Sequence, residues 1–365
     1  AVDLRGPSRE VAQRMGLMPG IRAHRLHEQG MVYVDRDGQP YSRMPADMFD
    51  GNGPVADIEI ARGDLNQVLL DELASVGEGL DYRYGEWIES MTQDADGVEV
   101  VLASRSVERF DLVIAADGVH SATRQLAFGP EAQFATYLGA YMAHFSVPTP
   151  SGIEPDWMTM HPMRGAAIGL RTDVDPDTSK ALVMLRVDAD PALRRDVDAQ
   201  QRFVRRMLAD AGWLAPQILE AMAATPDFYF DELTRIDVPH LSAGRVTLLG
   251  DAGYCGSPLS GMGTAMALVG AYVLAGELAA DPTDPVAALA RYESTVTPFL
   301  DKAKELPGGG VKMMLPATRI GSILTRAMAR VMVSRPLRPM MRKMMSGTDE
   351  YELPSYPVDS APTAR

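Results

Sequence analysis

The run TLLGDAGYCGSPLSGMG, residues 247–263, sets an acid, a proline and closely spaced glycines between two apolar stretches. The β-branched and aliphatic residues 245–249 read as a strand ending in Gly250-Asp251, and the Ala/Leu/Val-rich residues 264–278 read as a helix. Strand, small-residue loop and helix together aim free backbone N–H groups and a helix dipole at an anion. The loop therefore resembles the mouth of a nucleotide site, although Gly261-Met262-Gly263 would equally allow tight strand-to-helix packing. Two further features could act with it. Arg62 stands at a strand-to-helix junction in DIEIARGDL, and Asp117-Gly118 ends the apolar strand of RFDLVIAADG.

These groups need elements to position them. From Asp57 the pattern gives a short strand, then a helix whose apolar face is Leu65, Val68, Leu69 and Leu73, with Asp64 as its N-cap. EWIESMTQDADGVEVVLAS reads as a hairpin with a turn at 94–97. The apolar run 112–116 reads as a strand buried on both faces of an α/β sheet. After about Phe128 the style changes to short strands, a helix over 199–211 and a strand over 228–235, an antiparallel α+β block. At Arg245 buried strand plus helix return. The expected organisation is a discontinuous α/β domain, residues 1–127 and 243–300, interrupted by a sheet-rich domain, 128–242. A helical segment, 301–345, and a loose tail, 346–365, follow.

Bulk properties exclude several classes. A net charge of −14 argues against nucleic acid, whose phosphates would be repelled. A single Cys leaves no disulfide framework and no Cys-based metal site, and the His spacing assigns no metal, so a reducing cytoplasm is expected. No run of about 18 uninterrupted apolar residues predicts a transmembrane helix, and the opening AVDLRGPSRE has no apolar h-region. Residues 311–343 carry eight Lys/Arg and no acid. Ile320, Leu324, Met328 and Val331 form a helical stripe there, expected to pack on the acidic body, with a membrane-surface or partner-binding helix as the alternative.

The order and spacing of Arg62, Asp117-Gly118, Gly250-Asp251, Pro258, Gly261 and Gly263 resemble the FAD-dependent monooxygenases of the para-hydroxybenzoate hydroxylase type. GDAGYCGSPLSGMGTAMALVGAYVLAGEL is most similar to the actinobacterial branch near the tetracycline-inactivating monooxygenases. The resemblance implies an FAD/NAD(P)-binding Rossmann-like α/β domain with an inserted antiparallel-sheet substrate domain and a C-terminal helix. It implies that Asp251 accepts a hydrogen bond from the ribityl chain, and that Pro258, Gly261, Met262 and Gly263 bring backbone close to the isoalloxazine. The helix N-terminus after Gly263 would favour negative charge on the reduced ring. It further implies that Arg62 reaches towards the cofactor and that Asp3 lies near the ring, while Arg5 has no assignable role beyond proximity. Asp117 and Gly118 would lie where diphosphate and NAD(P)H meet. Asp117 equally fits a turn-holding residue that caps a helix starting near Ser121, and Arg124 fits a partner for it or for a nicotinamide phosphate.

Two departures stand out. The family's His after Gly-Asp-Ala-Ala is missing, since the run reads Gly-Asp-Ala-Gly-Tyr-Cys with no His at 254 or 255, and Cys255 reads as a small buried residue rather than a nucleophile. The family's opening βαβ unit, with its G-x-G-x-x-G, normally directly precedes the segment resembling AVDLRGPSREVAQRMGL, yet that motif occurs nowhere in this sequence. The expectation is an N-terminally incomplete flavin domain that, as written, holds FAD poorly because the ADP half has no seat.

The activity implied is hydroxylation of an aromatic or polyketide-like small molecule with NAD(P)H and O2 through a C4a-hydroperoxyflavin. Tyr137, Tyr141, Phe145, Trp157, Phe228, Tyr229 and Phe230 of the inserted block suit a flat, apolar or phenolic substrate, although most such residues are ordinary core. No residue stands out as a catalytic general base. A plain flavin oxidoreductase or halogenase is an alternative, the latter without its Trp-x-Trp-x-Ile-Pro motif. A non-catalytic ligand-binding remnant of the fold is the other.

Overall fold

The computed structural model describes residues 1–49, 58–306, 309–333 and 351–356. The chain runs β1 (Val2–Asp3), α1 (Pro7–Arg14), α2 (Met18–Ala23), β2 (Gly30–Val34), β3 (Pro40–Pro45), β4 (Glu59–Ile60) and α3 (Arg62–Ala74). Next come β5 (Ile88–Gln93), β6 (Val98–Leu102), β7 (Val107–Phe110), β8 (Val113–Ala115) and α4 (Ala122–Phe128). The middle holds β9 (Ala135–Pro148), β10 (Trp157–Met163), β11 (Ala166–Thr172), β12 (Thr178–Arg186), α5 (Val197–Leu208), α6 (Ala215–Met222) and β13 (Tyr229–Ile236). Last are β14 (Ser242–Ala243), β15 (Val246–Leu248), α7 (Asp251–Tyr254), α8 (Gly263–Ala280), α9 (Pro285–Ala303), α10 (Gly310–Met314) and α11 (Arg319–Met332).

The largest layer is a seven-stranded sheet of order β13-β9-β12-β11-β10-β2-β3, antiparallel except where β2 meets β10. Strand alternation gives it two apolar faces. One carries Tyr141, Phe145, Ile168, Leu170 and Val183 and is sealed by Phe203 and Leu208 of α5 and Ile218 of α6. The other carries Met142, Met160, Ala167, Leu182 and Met184 and meets Leu259, Val311 and Leu315 from the α/β part of the chain and α10.

This sheet corrects the expected domain boundary. The β2–β3 hairpin, drawn from within 1–127, belongs to it, because Val32 and Val34 bury one side while Gly30 pairs with Trp157. Gly30 is required there. A Cβ would stand 2.2 Å from the Met44 carbonyl oxygen, and φ is +150°.

In the α/β part, parallel β8 and β15 pair at Val113↔Val246, and β14 extends the sheet. The β5–β6–β7 meander packs Val98 and Val100 on Val113 and Val246, with the expected turn closed by Asp94 N–H to the Gly97 carbonyl at 3.0 Å. β8 is not buried on both faces as expected. Val113 and Ala115 are buried, but Ile114 is exposed, since the meander covers one side only. α3 buries Leu65 and Val68, whereas Leu73 is exposed. Its N-cap is Ala61 rather than Asp64, because extended backbone leads straight from β4 into Arg62. Asp64 thus falls in the first turn, where its charge suits the helix dipole.

α8 is long and apolar enough in composition to cross a bilayer, yet Ala265, Met266, Val269, Val273 and Leu274 pack in a core with Tyr292, Val296 and Phe299 of α9. It is a core helix. Residues 351–356, expected in a loose tail, instead strap the α8–α9 pair. Leu353 is buried, the Tyr351 hydroxyl donates to the Thr295 carbonyl at 3.1 Å and the Tyr356 hydroxyl to Glu277 at 2.8 Å. The expected stripe of α11 is also misplaced. Ile320, Leu324, Met328 and Val331 face outward, because the helix docks through Ala329 against β3 instead.

Candidate functional site

The chain leaves β15 through Gly250, whose φ of +65° turns it so that Asp251 opens α7. Arg62 opens α3 directly after β4, and β4 pairs with β1 at Asp3↔Glu59. The Arg62 charge acts on Asp251 and also on His144 and Tyr229 of the large sheet. Residues from both ends of the chain thus converge on the cleft between the α/β part and the sheet. Burial raises the Asp251 carboxyl above its ordinary value, against the opposing pull of Cys255 and Arg62.

Bare backbone and uncapped helix starts here would suit an anionic ligand. At Gly118, Gly261 and Gly263 no heavy atom lies within 4 Å of where a side chain would begin, so bare backbone fronts open space. None of α3, α7 and α8 has a side-chain N-cap, which leaves first-turn N–H groups for a ligand. Such donors and clearances fit the diphosphate, ribityl chain and ring of FAD. Met262 departs from expectation in one respect. Its side chain is buried in the α8–α9 core, so only its backbone can face a ring.

Asp3 is held by Arg5, whose Nε and Nη2 both donate to one carboxylate oxygen at 2.9 and 2.5 Å. Arg5 thereby gains the role that the sequence did not assign it. Burial pushes the Asp3 carboxyl up to about 6, against the pull of Arg5. Beside it, Arg171 of β11 bridges Glu28 at 3.1 Å and Glu59 at 3.5 Å. Burial, with Glu28 alongside, raises the Glu59 carboxyl to about 8, and its Oε2 is buried without a partner. No local pattern marks this trio, since its members come from three separated stretches of chain.

Asp117 spends its carboxylate on α4, accepting from the Ser121 hydroxyl and from the Thr123 N–H at 2.9 Å. Ser121 caps the same helix through the Arg124 N–H. The turn-holding reading of Asp117 is the one this geometry favours. Arg124 does not pair with Asp117. Fully buried, it donates to the Ala252 and Val119 carbonyls at 2.8 Å each, which ties α4 to α7. Cys255 lies buried with its thiol donating to the Thr234 carbonyl, and burial pushes its pKa up to about 12, so it is no nucleophile. Among the described residues no His, Cys, Asp and Glu cluster could hold a metal.

Nothing in the sequence marked out His120. Its Nε2 meets Asp231 of β13 at 3.0 Å and its Nδ1 meets Glu131 at 3.1 Å, linking the loop before α4 to the sheet. Tyr229 also donates to Asp231, while Arg124 and Arg194 also face Glu131. Hydrogen bonding to Asp231 leads the influences that raise the His120 pKa to about 9, with burial opposing. A raised folded-state pKa gives stability that is complete below the unfolded value near 6.5 and is lost as pH climbs through about 9. His120→Asn should therefore lower the melting temperature at pH 6 and leave it unchanged at pH 10. An equal loss at both would remove the charged bridge from this account.

The seven aromatics expected along the pocket divide. Tyr137, Tyr141, Phe145, Phe228 and Phe230 belong to the core under α5 and α6, and Trp157 is buried beneath the Arg43 guanidinium at 3.8 Å. Tyr229, half exposed on β13, instead donates to Asp231 and feels the charges of Arg62 and Asp251.

Residues 8–305 match the FAD binding domain family. An uncharacterized Mycobacterium tuberculosis protein (strain CDC 1551 / Oshkosh) is 38% identical over 322 residues, covering 85% of this chain and 84% of its own. A flavin-dependent monooxygenase of Legionella longbeachae is 34% identical over 82% of this chain and 76% of its own length. Among solved structures, that of the tetracycline destructase Tet(51) superposes with a TM-score of 0.79 at 31% identity, covering 98% of this chain and 88% of that one. With its bare-glycine cleft and those relatives, the chain belongs to the FAD-binding-domain family and is a flavin-dependent monooxygenase.

Proposed function

We propose that the enzyme inserts one oxygen atom of O2 into a flat, largely apolar aromatic or polyketide-like molecule, at the expense of NAD(P)H. The observation that carries this reading is Leu259. It lies in the loop bearing Pro258 and Gly261, and it packs onto the sheet face of Met142, Met160 and Leu182. The loop assigned to the flavin ring therefore meets a methionine-lined floor, and a substrate on that floor would lie against the ring. FAD bound there would supply the activated oxygen, using electrons from the nicotinamide.

The chain's own residues would do the rest. Asp251 would accept from the ribityl chain, Arg62 would supply a positive charge, and Asp3, fixed by Arg5, would lie beside the ring. Met142, Met158 and Met160 would exclude water from a hydrophobic substrate, as flexible thioethers that adapt to its outline. Polar groups of the substrate would meet His144, which burial depresses to a pKa of about 4 and keeps neutral at pH 7.

Gly169 sets the depth of the floor. A Cβ there would stand 2.6 Å from both the Met158 methyl and the Met160 sulfur. Gly169→Val should push both methionines into the pocket and raise KM for an aromatic substrate about tenfold, an overpacking cost of roughly 1–3 kcal/mol. An unchanged KM would place the substrate elsewhere. The reading as a whole is tested by substrate-stimulated NAD(P)H consumption with 18O2 label in the product. Nicotinamide oxidation that yields only peroxide across a panel of aromatics and polyketides would reduce the enzyme to an oxidase.

A further inference from the structure

α11 turns its apolar stripe away from the protein. Ile320, Ile323, Leu324, Met328 and Val331 recur at helical spacing, and each is between 50% and 72% exposed. The opposite side fixes the helix in place. Ala329 is buried, its carbonyl accepts from the Ser42 hydroxyl at 2.8 Å, and Arg326 and Arg330 lie over the Tyr41 ring. The stripe is thus presented on a docked helix about 21 Å long. No described hydrophobic cluster includes these side chains.

Charge selects what could cover it. At 100° per residue, Arg319, Arg326 and Arg330 fall along one flank of the stripe, and the helix contains no acidic residue. The sequence continues the trend with Arg335, Arg338, Arg342 and Lys343 before any acid appears. An antiparallel pairing of two such helices would set one arginine flank against the other with nothing to answer it, which disfavours a second copy. Exposed aliphatics flanked by Arg319, on a helix without acids, match a bilayer interface, with apolar side chains among acyl chains and guanidinium groups on lipid phosphates, while Arg326 and Arg330 stay over Tyr41.

We propose that α11 docks the enzyme on anionic phospholipid, lying in the plane of the headgroups. Beyond α11 the chain meets Met44, Met48 and Tyr33 through Val333, beside β2 and β3 of the substrate sheet. Docking there would hold the sheet next to a phase in which flat, apolar molecules concentrate. The inference concerns binding alone and does not depend on the oxygenation reading.

The test is flotation of the full chain with vesicles of equal parts phosphatidylglycerol and phosphatidylcholine, and with pure phosphatidylcholine. Binding is expected to the mixed vesicles alone, weakening at least tenfold as salt shortens the Debye length from about 10 to 3 Å. Ile320→Glu with Leu324→Glu should abolish it, and Arg319→Gln should weaken it about fivefold. Both variants should keep the parent's melting temperature and secondary structure, and loss of either property moves the test to the milder Leu324→Ser. No flotation, or equal flotation with neutral vesicles, overturns the proposal. So does a concentration-dependent dimer that Ile320→Glu/Leu324→Glu disrupts, since the stripe would then belong to a second copy.

Discussion

Asp251→Ala should yield a folded protein that binds FAD more weakly than the parent chain does. The carboxylate opens α7 beside bare backbone, and none of its contacts holds the fold together as those of Asp117 do. A hydrogen bond to a charged group is worth roughly 1.5–3 kcal/mol, so FAD should bind about 10- to 150-fold more weakly. Asp251→Asn keeps an acceptor and should fall between the two. Melting of the flavin-free protein should change by no more than about 0.5 kcal/mol, as for a surface substitution. Flavin absorbance after desalting, followed by fluorescence titration with FAD, measures both effects. Undiminished FAD affinity in the alanine variant would remove Asp251 from the cofactor site.

The second large effect falls on stability. Arg124→Leu keeps the apolar stem but strips donors from the buried Ala252 carbonyl and the half-buried Val119 carbonyl. Each orphaned acceptor costs about 1–3 kcal/mol, so urea unfolding should show a loss on the order of 3 kcal/mol or more. Ala252 directly follows Asp251, so the same change should loosen α7 and weaken FAD binding as well. Arg124→Lys, with one ammonium for two diverging carbonyls, should recover less than half of the loss. A stability change under about 1 kcal/mol in the leucine variant would contradict the buried bridge.

What could be read from the sequence was local. The loop at 247–263 announced itself because a strand, an acid, glycines and a helix lie side by side in the chain, and the structure keeps them so. The 88–102 hairpin was legible for the same reason, with its turn and alternation contiguous. Long-range pairing was not legible. Nothing in GMVYV says that its partner is Trp157–Met160, so the reach of the large sheet back to residues 30–45 could not be read. Arg171 with Glu28 and Glu59, and His120 with Asp231, are likewise visible only once the chain is folded. Most of the aromatics of the inserted block are ordinary core, as expected, because their rings went under α5 and α6. For α11, periodicity located the apolar stripe but carried no information on which side would meet the protein.

The hairpin formed by β2 and β3 has a consequence for how the protein is made. Its parallel neighbour, paired at Gly30↔Trp157, leaves the ribosome well over a hundred residues later. At roughly 5–20 residues per second, that hairpin waits on the order of ten seconds with its apolar side uncovered. Completion of the substrate layer is therefore timed by translation, and slow decoding between the two stretches would lengthen the interval in which a chaperone has something to hold.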